Sequence, residues 1–117
     1  MSKIHYNIVF ILSFLFLFYS FDSISQKIYS TQYEYQSDLK VFVVDHEYQA
    51  DLKVFKVEKE YQSKGNIGLW FFTDRSYISD KKIFFVDYAY QADLNIFIVK
   101  YSYKAGWKNK KKMYLLL

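Results

Sequence analysis

At 117 residues, with a formal charge of +4 and neither cysteine nor proline, the chain has room for one domain. It cannot build a disulfide framework, a thiolate metal site, a cysteine nucleophile or a lipid-modified cysteine. A domain of this size without disulfides must rest on its core and on extensive backbone pairing.

The chain opens with a basic tip at Lys3, an apolar run from Ile8 to Phe18 and a small-x-small site at Ser23-Ile24-Ser25. This is the three-part pattern of a secretory signal peptide over residues 1–25, with cleavage expected between Ser25 and Gln26 and a periplasmic or extracellular destination. The alternative, an uncleaved membrane anchor, is disfavoured because the run falls short of the roughly 20 residues a span requires and ends at Asp22.

From Gln26 onward the sequence repeats. Tyr35, Tyr48 and Tyr61 are spaced by 13, as are Tyr77, Tyr90 and Tyr103, with a gap of 16 between the triplets. Six units follow: 26–38, 39–51, 52–64, 68–80, 81–93 and 94–106, with Gly65-Asn66-Ile67 an insertion between the third and fourth and a basic tail at 107–117. Each unit holds a run such as Lys40-Val41-Phe42-Val43-Val44, rich in β-branched and aromatic residues and bounded by polar turn formers. A 13-residue unit cannot hold a helix and a strand. The expected fold is therefore all-β, a single compact domain of mainly short antiparallel strands in which each unit reads strand, turn, strand. The absence of proline fits backbone N–H groups being needed in ladders throughout.

One position in each run is always aromatic: Tyr29, Phe42, Phe55, Phe71, Phe84 and Phe97. Two residues on come Thr31, Val44, Val57, Thr73, Val86 and Val99, which share a strand face with them. That face is the expected core. The opposite face, carrying Ile28, Val41, Val54, Trp70, Ile83 and Ile96, is also apolar, so the units are expected to pack in layers or wrap around each other. Asp38, Asp51, Asp80 and Asp93 close the Tyr-Gln-Ala-Asp segments and their variants, with Lys64 and Gly106 in the other copies. These aspartates are expected to bond their own backbone and set turns, a structural task in preference to a catalytic one.

The repeated Tyr-Gln-Ala-Asp-Leu-Lys-Val-Phe block, the stretch Lys64-Gly65-Asn66-Ile67-Gly68-Leu69-Trp70-Phe71-Phe72 and the closing Ala105-Gly106-Trp107-Lys108-Asn109-Lys110 together resemble the DUF6150 family of short, mostly bacterial proteins, across nearly all of the chain after the leader. Proteins similar to these are compact β structures whose backbone is threaded into a deep knot. The resemblance therefore implies a knotted fold, against the general rule that folds are not knotted. It implies no activity and no site residues, and the leader is a departure from the shorter members.

Enzyme chemistry finds no foothold. After the leader the sole histidine is His46, at a position that elsewhere holds Tyr33, Lys59, Arg75, Tyr88 or Tyr101, so an exposed turn residue is expected there. One histidine cannot make a zinc site, and a calcium ladder of repeat aspartates would be interrupted at Lys64 and Gly106. Gly65 and Gly68 precede an apolar run and lack the lysine and helix start of a phosphate loop. No metal or cofactor is expected.

Two surfaces stand out. Tyrosines Tyr33, Tyr35, Tyr48, Tyr61, Tyr77, Tyr88, Tyr90, Tyr101 and Tyr103 gather on the turn side of the units, where a large ring with a polar tip suits stacking on sugars or on a partner protein. The favoured reading, however, is that the rings cover the sheet and bond to neighbouring backbone. The lysines from Lys104 to Lys112 surround Trp107, a combination that suits anionic lipid or an acidic polymer. The apolar end from Met113 to Leu117 gives this tail a means to fold back onto the body. The sequence thus reads as an exported structural or interaction protein without a catalytic site, the alternative being a carbohydrate-binding module. Tyr48, Tyr61, Tyr90, Tyr103 and Trp107 are its candidate binding residues. A protein or glycan partner is expected, nucleic acid is not, and unpaired strand edges would favour a homodimer.

Overall fold

A computed structural model describes residues 24–117; the expected leader, apart from Ile24 and Ser25, lies outside them. Seven strands form, β1 (Lys27–Ser30), β2 (Leu39–Val43), β3 (Leu52–Lys56), β4 (Leu69–Phe72), β5 (Lys81–Phe85), β6 (Leu94–Ile98) and the short β7 (Gly106–Trp107). The sheet order is β4-β1-β5-β2-β6-β3-β7, and a further pairing of β3 with β4 closes the first six strands into a barrel. All six contacts around this ring are parallel; only β7 runs antiparallel, against β3. The expected all-β single domain is present. The expected antiparallel pairing is not, and each unit supplies one strand and one 3-10 turn in place of two strands.

The register explains how so short a repeat makes a parallel barrel. Moving round the ring, the residues that face a strand's two neighbours are offset by two at β5, β2, β6 and β4, by three at β3 and by one at β1. A circuit therefore returns to β1 twelve residues from its start, an average stagger of two per strand. Side chains alternate with period two, so this stagger brings equivalent residues of every unit to the same level, facing the same way. Ile28, Ile83, Val41, Ile96, Val54 and Trp70 form one such ring across the barrel interior, and each is 0% exposed.

This ring corrects the expected core face. The six aromatics, Tyr29 to Phe97, point outward and are only half-buried. A barrel has one inside, and its narrow bore takes the β-branched residues, with Trp70 as the single large member. Below the ring, Leu39, Leu52 and Leu94 fill the next level together with Gln26 and Gly68. At the opposite mouth Ser30, Val43, Lys56 and Phe85 are exposed.

The connections pass outside the filled barrel as arches. Ser30 of β1 and Leu39 of β2 both face Ile83 of β5, so residues 31–38 have only to step over β5. Five further arches repeat the step: 44–51 over β6, 57–64 over β4, 73–80 over β1, 86–93 over β2 and 99–105 over β3. At the entry of each, a backbone N–H donates to a carbonyl of the buried ring, as Thr31 does to Ile83 (2.9 Å) and Val44 to Ile96 (2.8 Å). The outward aromatics lie beneath these arches, so each strand is covered on both faces, as expected.

The repeat aspartates fasten the other end. Asp38 N–H donates to the Lys82 carbonyl (2.7 Å) while the Lys82 N–H donates to Asp38 Oδ2 (2.8 Å). Asp51 does the same with Asn95, Asp80 with Lys27 and Asp93 with Lys40. The carboxylates are structural, but they clasp units 44 or 53 residues away instead of their own turn.

The third arch behaves differently. On crossing β4 it meets the segment that leads into β1: Gln26 N–H donates to the Ser63 carbonyl (2.8 Å) and Gly65 N–H to that of Ile24 (2.7 Å). The chain then turns back through the insertion and starts β4 beside β3. A cut between Ser25 and Gln26 would remove Ile24 and Ser25 from these contacts. Beyond β7, residues 108–117 fold back across the barrel end as a plug, with a 3-10 segment at Lys110–Leu116 and Leu116 buried in the core.

Candidate functional site: the tyrosine belt

Each arch carries a single 3-10 turn: Glu34–Gln36, Glu47–Gln49, Glu60–Gln62, Ser76–Ile78, Ala89–Gln91 and Ser102–Lys104. Local chemistry sets it. Thr31 Oγ1 accepts the Tyr33 N–H and Thr73 Oγ1 that of Arg75. Gln49 and Gln62 side chains accept the N–H groups of His46 and Lys59. Ser37, Ser63 and Ser79 hydroxyls each donate 2.7 Å bonds to a carbonyl three residues back.

The middle residue of each turn is the repeat tyrosine, and all six project into solvent, at 70–83% exposure. They do not cover the sheet. Because the arches step over six successive strands of a closed ring, the tyrosines are spread round the waist of the barrel as a belt. The residue two positions earlier packs against the ring in several arches. His46 stacks on Tyr48 at 5.5 Å and 9°, Tyr88 on Tyr90 at 5.7 Å and 15°, and Tyr101 on Tyr103 at 5.6 Å and 16°, while Tyr33 tilts against Tyr35. Offset stacks of this kind stiffen an exposed ring and leave its outer face free. The neighbouring Tyr77 side chain holds the exposed Arg75 guanidinium above its ordinary pKa range.

Between the first and fifth arches, which cross the adjacent strands β5 and β2, two open depressions share Glu34 and Lys40. Tyr33, Tyr35 and Tyr90 line them, with Asp38, Asp93 and Gln91 as polar neighbours. Lys40 Nζ lies 3.5 Å from Glu34 Oε1, a surface pair that contributes little to stability and can exchange it for a ligand's hydroxyls.

The structure thus places Tyr48, Tyr61, Tyr90 and Tyr103 on the belt, one per arch, together with the equivalent Tyr35 and Tyr77. It does not bring Trp107 to them. That indole, at the end of β7, is half-buried beside the insertion, its Nε1–H donating to the Asn66 carbonyl (3.0 Å) and to Asn66 Oδ1 (3.2 Å). Asn66 itself, whose amide donates to the Met113 carbonyl and accepts from Gln26, went unnoticed in the sequence; its place in the one insertion was the only signal. Among the described residues no three His, Asp or Glu side chains are grouped for a metal ion. His46 is exposed, as expected.

A ring of parallel strands in which every connection steps over a strand of the other triplet defines a threaded β-repeat domain. The model of the 7(1) septoil knot domain family matches residues 25–108, and the chain belongs to that family. Neither the curated proteins nor the solved structures give a match to the chain.

Proposed function

We propose that this is an exported, non-enzymatic interaction module whose working surface is the tyrosine belt. The observation that supports the reading is the exposure of six repeat tyrosines, each at 70% or more. A folded domain gains almost nothing from a ring left in water, whereas tyrosine is the residue that contact surfaces favour, because it offers large area at low entropic cost. The test is replacement of all six belt tyrosines by serine. Stability should change by no more than about 0.5 kcal/mol per site, as at other exposed positions, while retention of partners from an envelope extract is lost. Losses above about 1 kcal/mol per site, or retention unchanged by the replacement, would make the belt structural.

A carbohydrate polymer is the second reading, favoured by the depressions between neighbouring arches, where ring faces of Tyr35 and Tyr90 flank the Glu34–Lys40 pair. Soluble oligosaccharides should then change tyrosine fluorescence, and Tyr35→Ala with Tyr90→Ala should remove the response. Silence across a broad glycan panel eliminates this ligand class.

A further inference from the structure

The plug end of the barrel combines features the belt does not explain. An apolar depression there is walled by Ile24, Ile67, Met113 and Leu117, with Lys64 at its margin. Ile67 and Leu117 in its wall stand 52% and 69% exposed, and Tyr114 of the same plug 68%. No acidic side chain occurs from Leu94 to Leu117. Two lysines of the plug are engaged with the second arch: Lys112 Nζ lies 3.1 Å from Asp51 Oδ2, and the exposed Lys108 Nζ donates to the Glu47 carbonyl. Lys64, Lys110 and Lys111 are exposed and form no ion pair among the described residues.

We propose that this end is a contact face for an anionic lipid bilayer. An apolar tip with Lys64 at its margin and the exposed Lys110 and Lys111 in the same plug matches a membrane surface: side chains such as Leu117 and Ile67 enter the acyl boundary while the lysines meet lipid phosphates. A soluble polyanion would use the lysines and leave the apolar side chains in water. A second copy of the chain would set like charges against one another. The inference is independent of the belt, which lies on the arches round the waist.

The absence of cysteine makes the test clean. In the full-length chain, an environment-sensitive fluorophore is attached at Leu117→Cys and, in a second sample, at Ser30→Cys on the opposite mouth. Mixed phosphatidylcholine and phosphatidylglycerol vesicles should move the Leu117 probe into an apolar environment and leave the Ser30 probe in water. Pure phosphatidylcholine should have little effect. Each lysine near an anionic surface strengthens binding roughly fivefold, so Lys64→Gln, Lys110→Gln and Lys111→Gln together should weaken the Leu117 response on the order of a hundredfold. All three are exposed, and circular dichroism will verify the fold. A Leu117 probe still in water on anionic vesicles, or equal responses at both probes, overturns the proposal. So does a response that survives the triple substitution, which would assign binding to the N-terminal run. A response to dextran sulfate alone would assign the face to a polyanion, and one that grows with protein concentration without lipid would assign it to self-association; either overturns the bilayer reading.

Discussion

Gly68 offers a sharp test of the closed ring. It occupies the level where three other units place a leucine, its φ is +87°, and a Cβ there would lie 2.3 Å from the Lys53 carbonyl oxygen and 3.2 Å from Leu52 Cδ1. Gly65, in the same insertion region, has φ +81°, but its Cβ would meet only Ile67 Cγ1 at 3.9 Å. The left-handed conformation costs a non-glycine residue about 1–2 kcal/mol, offset by about 0.4–1 kcal/mol from the stiffer unfolded chain. Gly65→Ala should therefore destabilise by about 1 kcal/mol or less. Gly68→Ala must also move the β3 backbone by most of an ångström. That strains the Phe55 N–H bond to the Gly68 carbonyl and the pairing of Lys53 with Gly106, adding an overpacking cost of about 1–3 kcal/mol. A total of about 1–4 kcal/mol is expected, above the Gly65→Ala loss by that overpacking cost. Urea denaturation followed by circular dichroism measures both variants on one scale. Equal, small losses would mean that β3 and β4 do not close the barrel at this point.

Three other perturbations probe the remaining layers. Ile96→Ala should cost about 2–5 kcal/mol because its side chain is fully enclosed, whereas Phe97→Ala, half-buried under an arch, should cost less despite the larger deletion; the reverse order in denaturation midpoints would restore the outer face as the core. Asp51→Ala should cost about 2 kcal/mol, since Asp51 Oδ2 accepts from both Asn95 N–H and Lys112 Nζ in a largely covered position, while the exposed Asp93→Ala should cost about 1 kcal/mol; equal effects would mean that the Lys112 contact is idle. Asn66→Ala removes the side-chain bonds to Gln26, Trp107 and Met113, so amide exchange should accelerate in residues 108–117 before it does in β2 or β6, and uniform acceleration would refute a separable plug.

Much of this fold is legible in the sequence because each unit states its strand and its turn in the same places. The limits of β2 and β3 follow from their Leu-Lys-Val-Phe runs and those of β6 from Leu-Asn-Ile-Phe, and the tyrosines are placed on the turn side by their spacing. The core face was misjudged because both strand faces are apolar, and residue size favoured the aromatics. Only the stagger, a property of pairing between distant units, shows that the bore accepts Val41 and Ile83 and excludes Phe42 and Phe84. Parallel pairing was hidden for a related reason. Parallel strands ordinarily need a crossover of a dozen or more residues, but a connection that steps over one intervening strand has only about 10 Å to cover. The aspartates look like local turn formers because their partners lie three or four units away in sequence. The edge argument for a homodimer loses its basis once β3 pairs with β4. The candidate site was readable as residues and unreadable as a belt, because its arrangement is a consequence of closure.

The insertion at residues 65–67 follows from counting. The chain advances two places round the ring with every unit, and a ring of six is even. After three units the next step falls on the place already held by β1, and the third arch does reach the Ile24–Gln26 segment there. A further regular unit would collide with it. One irregular step is required to move the chain onto the three vacant places, and the extra residues that make it occur once, between the triplets. Five or seven places would need no such step. Six identical units in tandem could not complete this ring, so the one departure from the repeat belongs to the architecture as firmly as the repeat itself, and the number of units is not free to grow or shrink singly as it is in an open solenoid.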